Sequence, residues 1–357
     1  MQMTIFRDAL VAWLGVFELL AGAGGIWGVS WLGRRQWGAR ALLAPLSGLA
    51  LVRLARRGRR GWAALALALP CALALQIGAS SLRNHRLNPR ALLLPGAHPG
   101  RRVERVEIAL AEGAVPALHI VPEGGARAAL CVAHGSGCDK TFYIWRLADA
   151  LLEAGVAVLL IDLDGHGENA RAQRFPEMLE CIAGPVGWLR ARYTSVALLG
   201  YSLGACLAAR AVADGLRVEA LALLEGPPTL AFGRREMLRE GLLLLRPGLW
   251  HMARDSSLFH IVRAWSTTPI RAAISTWDLI DALDLRASVS RIAAPLLVAY
   301  GGRDAIVPPR QGEQVRAALP PQAEFLWVPR ASHLSLVLEP ELLAALVGWL
   351  GRVLRPA

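Results

Sequence analysis

The chain has 357 residues and a formal charge of +11; 54% of it is hydrophobic and only 19% charged. It is longer than one compact domain needs, and so apolar a composition predicts that part of it lies outside water. Five cysteines without CxxC spacing exclude a disulfide framework and a cysteine metal site. Lys140 is the only lysine, and the arginines cluster beside apolar runs near the N-terminus. There is no zinc-finger spacing and no basic segment interleaved with aromatics, so the charge points to anionic lipid and not to nucleic acid.

In chain order, residues 9–33 form an apolar run long enough to cross a bilayer, which takes roughly 20 residues. Residues 61–80 form a second run, and 41–52 a shorter one that is a third span, a re-entrant piece or an interfacial helix. The expectation is a membrane-spanning region over 1–80 with two or three helices, then a Pro-, Gly- and Arg-containing linker over 81–100. With two spans, the eight arginines of the intervening loop face the cytoplasm and leave the rest of the chain outside. An integral membrane protein with an external second domain is therefore expected.

Over 101–357 the pattern changes. RVEIAL and PALHIVP, joined through a Glu-Gly turn, predict a hairpin. AALCVA, VAVLLI, SVALLGY, the strand ending at Glu225 and APLLVAY are continuous apolar runs separated by helical patterns; AEFLWV and a closing helix over 340–354 follow. That alternation predicts an α/β domain, a mostly parallel sheet with helices on both faces. Residues 229–292 interrupt it with helical patterns and several tryptophans, and are expected to form an inserted helical cap. In such sheets ligands bind beyond the carboxyl ends of the strands. His134, Asp162, Ser202, Glu225, Asp304 and His333 all fall there.

The stretch GYSLG places Ser202 between Gly200 and Gly204, at a junction of strand and helix. Packing alone explains two glycines. A nucleophile on a tight turn explains them better, because backbone must approach backbone on both sides and Oγ must stand above the sheet. A nucleophilic serine needs a base and an orienting acid. His333 follows the last strand, and Asp304 lies in GGRDAIVPP after the strand before it. Glu225 stands as the alternative acid. Two N–H donors are needed for an oxyanion, and the backbone of Leu203 and of Ser136 in HGSG are the candidates.

These motifs together resemble the α/β-hydrolase family, and most closely its group of monoacylglycerol lipases, serine aminopeptidases and related esterases. HGSG is similar to the family's oxyanion loop, DLDGHG to its turn after the fourth strand, GYSLG to its nucleophile elbow, GGRDAIVPP to its acid loop and Ser332-His333 to its histidine loop. The resemblance implies an α/β-hydrolase fold with a cap. It implies a Ser202–His333–Asp304 triad, structural roles for His134 and His166, and no metal or organic cofactor. It covers 101–357 and leaves the first hundred residues without a counterpart. The expected activity is hydrolysis of carboxylic esters with lipid-like or acyl groups by a membrane-anchored serine hydrolase, its partners being a small ester and the bilayer. The alternatives are a peptidase or amidase, for which Asp278, Asp281 or Asp284 would receive a substrate amine if they do not merely form a solvated helix face; an acyltransferase on the same triad; and a non-catalytic membrane scaffold.

Overall fold

A computed structural model describes residues 95–141, 144–230, 233, 235–236, 239–240 and 272–354. All belong to one compact unit, Pro89–Trp250 with Ile270–Ala357. Along the described residues the strands are β1 (Gly96–His98), β2 (Arg101–Ala109), β3 (Ala114–Pro122), β4 (Ala128–Ala133), β5 (Val156–Ile161), β6 (Ser195–Tyr201), β7 (Ala220–Leu224), β8 (Leu296–Gly301) and β9 (Glu324–Val328). The helices are α1 (Trp145–Glu153), α2 (Glu180–Arg190), α3 (Leu203–Ala213), α4 (Thr276–Leu283), α5 (Leu285–Val289), α6 (Pro309–Arg316) and α7 (Pro340–Val353).

The strands form one sheet in the order β1-β2-β3-β5-β4-β6-β7-β8-β9. β1 to β3 and the β3–β5 pair are antiparallel, and the pairs from β5 through β9 are parallel. The expected hairpin is β2–β3. β1, inside the stretch read as linker, pairs with it as a three-residue edge strand. β4, β5, β7 and β8 are buried almost without interruption because helices cover both faces. α2, α3, α5 and α6 pack among themselves on one face, and α1 packs with α7 on the other. Each fully buried Leu, Ile or Val contributes about 1.5–3 kcal/mol through area removed from water. Cys131, Cys138, Cys181 and Cys206 are free and buried, small apolar residues of this core.

β4 is the switch in the sheet. β5 lies on one side of it and β6 on the other, so the loops after β4 and β6 diverge above a shared crevice. The register then aligns the strand ends. Ala133 pairs with Gly200, Tyr201 with Leu224, Leu224 with Ala299, and Gly301 with Val328. The next few residues of each strand therefore emerge at one rim.

The stretch expected as a cap contributes α4 and α5. Leu279, Ile280 and Leu283 of α4 are buried, while Asp278, Asp281 and Asp284 are exposed. The Ser275 side chain caps α4 by accepting from the Asp278 N–H at 3.1 Å, and Asp284 caps α5 by accepting from Ala287 N–H at 3.3 Å.

The expected integral membrane placement, with the catalytic domain on the outer side, is corrected. Among the described residues no helix is long and apolar enough to cross a membrane. The longest of them, α7, has 14 residues, against the roughly 20 that a span takes. The apolar content of these residues goes instead into a sheet buried on both faces. The runs 9–33, 41–52 and 61–80, on which the expectation rested, lie outside the described residues.

Candidate active site

Ser202 sits between β6 and α3 with φ 53° and ψ −115°, a backbone state that costs a non-glycine residue roughly 1–3 kcal/mol. Backbone hydrogen bonds on and beside it hold it there. Its N–H donates to Leu224 O at 2.8 Å, the Ala205 N–H donates to its carbonyl at 3.0 Å, and the Gly204 N–H donates to His134 O at 3.1 Å. The flanking glycines are required by space. A Cβ on Gly200 would meet the Gly204 carbonyl and come within 2.5 Å of Ala205 Cα; one on Gly204 would meet the Ala133 carbonyl and stand 2.6 Å from that of His134. The turn thus fixes β6, α3 and the end of β4 against one another.

His333 follows β9 and Asp304 follows β8. His333 Nδ1 lies 2.6 Å from Asp304 Oδ2, and its Nε2 lies 3.2 Å from Ser202 Oγ. Asp304 Oδ1 accepts from the N–H groups of Ile306 and Val307, both at 2.7 Å. With Asp304 ionised, Nδ1 carries the ring proton and Nε2 is left as the acceptor for the serine hydroxyl. Burial alone would lower the His333 pKa; the charge and hydrogen bond of Asp304, with the charge of Glu240 behind them, outweigh that and raise it. The Tyr201 hydroxyl donates to the His333 carbonyl, and the two rings lie 5.4 Å apart.

Of the two acids left open by the sequence, Asp304 holds the imidazole. Glu225, fully buried with φ 51°, accepts from the Gly301 N–H at 2.8 Å through Oε1. Burial and the neighbouring Asp304 charge push its carboxyl well above the usual range. Two buried carboxyls this close do not both ionise. Asp304 faces three N–H donors and Glu225 one, in keeping with the proton being held on Glu225.

Glu225, Asp304 and His333 each bring a potential ligand atom within 4.8 Å of the others. Both ring nitrogens of His333 are already engaged, one by Asp304 and one by Ser202. That donor set suits a proton relay better than a cation.

The HGSG loop lies alongside Ser202: a Cβ on Gly135 would be 3.1 Å from Ser202 Cβ. His134 donates from Nδ1 to Gly135 O at 2.7 Å and accepts the Leu163 N–H at Nε2, 3.2 Å away, which ties this loop to the end of β5. The Ser136 hydroxyl lies 3.4 Å from Thr276 Oγ1 at the start of α4. Leu203 opens α3, so its N–H belongs to the first turn, where no carbonyl four residues back lies within the helix. Its neighbour Ser202 faces the positive end of that helix.

His166 and Asp162 stand beside this site. His166 Nδ1 bonds the Asp164 carbonyl at 2.9 Å, and Asp162 receives Lys140 Nζ at 2.5 Å and the N–H groups of Lys140 and Glu168, each at 2.8 Å. A Cβ on Gly167 would strike the Asp162 carboxylate. These contacts tie the loops on either side of them together.

Sequence reasoning missed Lys140, Tyr201, Thr276 and Glu240. Being the chain's sole lysine was a signal for the first; the others look like ordinary strand, helix-cap and charged-helix positions.

The comparisons agree with this fold. Residues 129–346, more than half of the chain, match the Alpha/beta hydrolase family. The chain belongs to the alpha/beta hydrolase family. Uncharacterized protein Rv2307c of Mycobacterium tuberculosis is 30% identical over 227 residues, 62% of this chain and 66% of that protein. The match thus spans just under two thirds of that relative's length. The pimeloyl-[acyl-carrier protein] methyl ester esterase of Neisseria meningitidis is 27% identical over 245 residues, 60% of this chain and 73% of that protein. Among solved structures, a thermophilic esterase from Thermogutta terrifontis superposes with a TM-score of 0.54 at 22% identity, covering 70% of this chain and 99% of that one. That likeness is one of fold.

Proposed function

We propose that this hydrolase cleaves carboxylic esters with acyl groups through an acyl-enzyme on Ser202. The relay from Ser202 Oγ through His333 to Asp304, on a turn whose strain the surrounding backbone holds, is the observation that carries the reading. The motif likeness to monoacylglycerol lipases and related esterases supports an acyl ester. So does the similarity to a pimeloyl-[acyl-carrier protein] methyl ester esterase.

In this mechanism His333 Nε2 takes the Ser202 proton as Oγ attacks the ester carbonyl. The backbone N–H groups of Ser136 and Leu203 receive the oxyanion, each such donor being worth roughly 3 kcal/mol at the transition state. His333 then gives the proton to the leaving alcohol. Water repeats the sequence on the acyl-enzyme, and Asp304 holds the ring and its transient charge throughout. The peptidase reading is weaker, because Asp278, Asp281 and Asp284 are exposed and two of them serve as helix-cap partners. An acyltransferase would use the same residues with an alcohol in place of water.

Labelling with a fluorophosphonate probe and hydrolysis of p-nitrophenyl butyrate test this, with wild type beside Ser202→Ala. Wild type is expected to label and turn over, and Ser202→Ala to do neither, its rate falling ~10⁴-fold or more. Full hydrolysis by Ser202→Ala would end the proposal.

A further inference from the structure

Behind the relay stands a carboxyl group that the mechanism above does not use. Glu240 lies in the interrupting stretch between β7 and β8, outside the sheet, yet is only 2% exposed. Its Oε1 accepts the N–H of Leu334, the residue after His333, at 3.0 Å. Its Oε2 accepts the N–H of Ala305, the residue after Asp304, at 3.3 Å. One side chain therefore spans the two loops that must present base and acid to each other. Burying a carboxylate is costly unless each oxygen finds a donor. Here the two donors are the main-chain groups adjoining the relay.

We propose that Glu240 is a positioning residue: it clamps the His333 loop to the Asp304 loop and sets a second negative charge behind the imidazole. The proposal rests on the serine hydrolase reading of the site. Two N–H donors sharing one carboxylate fix the separation of the loops, and with it the His333–Asp304 contact of 2.6 Å. A misplacement of about 1 Å in such a contact costs up to ~10²-fold in rate. The charge works in the same direction, because a carboxylate near the ring favours the imidazolium formed during attack. Among the described residues, the titratable groups facing His333 are Asp304 from the loop after β8, Glu225 from the end of β7, Tyr201 from the end of β6, and Glu240 itself. Those facing Glu240 are Asp304, His333, Glu225 and Tyr201; burial and the Asp304 charge raise its carboxyl pKa, while His333 and the Leu334 N–H draw it back down, so its charge acts on the ring above that raised value.

The test measures kcat and KM for p-nitrophenyl butyrate from pH 5 to 9 in wild type, Glu240→Gln, Glu240→Asp and Ser202→Ala, with circular dichroism as the check of folding. Glu240→Gln is expected to lose ~10-fold or more in kcat with KM within about 2-fold of wild type. Its acid limb should move to lower pH by about half a unit or more, since His333 loses a neighbouring negative charge. Unchanged kcat overturns the proposal. A fall in kcat with the acid limb unmoved also overturns it, because a purely structural role would do that. Should Glu240→Gln not fold, Glu240→Asp decides: the charge is kept but the reach shortened, so kcat should fall with the acid limb in place; full kcat overturns the clamp, and an acid limb moved to lower pH overturns the role of the charge. Failure of the underlying reading looks different, because Ser202→Ala would then still hydrolyse the ester.

Discussion

Two buried clusters of histidine and carboxylate lie at the carboxyl ends of this sheet, and they are electrostatic opposites. In one, His134 and His166 hydrogen-bond backbone carbonyls, and burial pushes their pKa values down to about 4 and about 3. The acid beside them, Asp162, is engaged by Lys140 at 2.5 Å. In the other, His333 is as deeply buried, but a carboxylate touches its ring at 2.6 Å and its pKa rises. Burial alone makes a histidine inert. The partner of its Nδ1 decides whether it braces a loop or accepts a proton.

The sharpest way to break this contrast is to neutralise the acid of the second cluster. Asp304→Asn should lower kcat on p-nitrophenyl butyrate by ~10⁴-fold, because the amide cannot hold the imidazole in the required tautomer. If instead activity survives in Asp304→Asn and is lost in Glu225→Gln, then Glu225 and not Asp304 is the acid.

The matching change in the first cluster should act on stability and leave chemistry alone. Asp162→Asn strands the Lys140 ammonium, 8% exposed, without its closest anion. Glu168 Oε2, 2.8 Å from the same ammonium, remains as a half-exposed partner, so the cost falls short of the roughly 3–5 kcal/mol of a fully stranded buried charge and is read as a lower melting temperature. The rate per labelled active site should stay near wild type; a large loss there would move this cluster into the catalytic machinery.

A smaller effect follows from the two lowered histidines. In the fold they stay neutral, while in the unfolded chain they protonate below their ordinary value of about 6.5. The unfolded state therefore binds more protons as pH falls, and stability should decline from pH 6.5 toward 4. His333 has the opposite sign: its contribution is present below 6.5 and lost as pH rises through its raised value. Urea unfolding of His166→Gln should show a decline between pH 6.5 and 4 shallower by up to ~1.4 kcal/mol per pH unit, one proton's worth. An unchanged slope would mean that His166 is not held neutral.

How legible each cluster was in the sequence depended on reach. The elbow was readable because its demands are local: two glycines, one serine, a strand before and a helix after. The alternation of apolar runs gave the parallel sheet, since doubly buried strands need no polar face. His333 and Asp304 stood out by their place after strands, although His333 lies against a serine 131 residues away in sequence. Glu240 was not found. Its partners lie 65 and 94 residues distant, and a glutamate in a charged helical stretch looks like a solvated one. Tyr201 was hidden as the last residue of a strand. The apolar runs near the N-terminus drew a membrane placement that the described residues contradict.

The alignment of strand ends has a practical consequence. Ser202, Glu225, Asp304 and His333 reach one rim because Gly200 pairs with Ala133, Leu224 with Ala299 and Gly301 with Val328. A slip of one residue in any of these pairings turns alternate side chains to the opposite face. A molecule with the right secondary structure and a slipped strand would give an ordinary spectrum and no reactive serine. If Ser202 is the nucleophile proposed above, the fraction of a preparation that takes up a fluorophosphonate becomes a head-count of correctly registered sheets, a measure of folding fidelity carried in the protein's own chemistry.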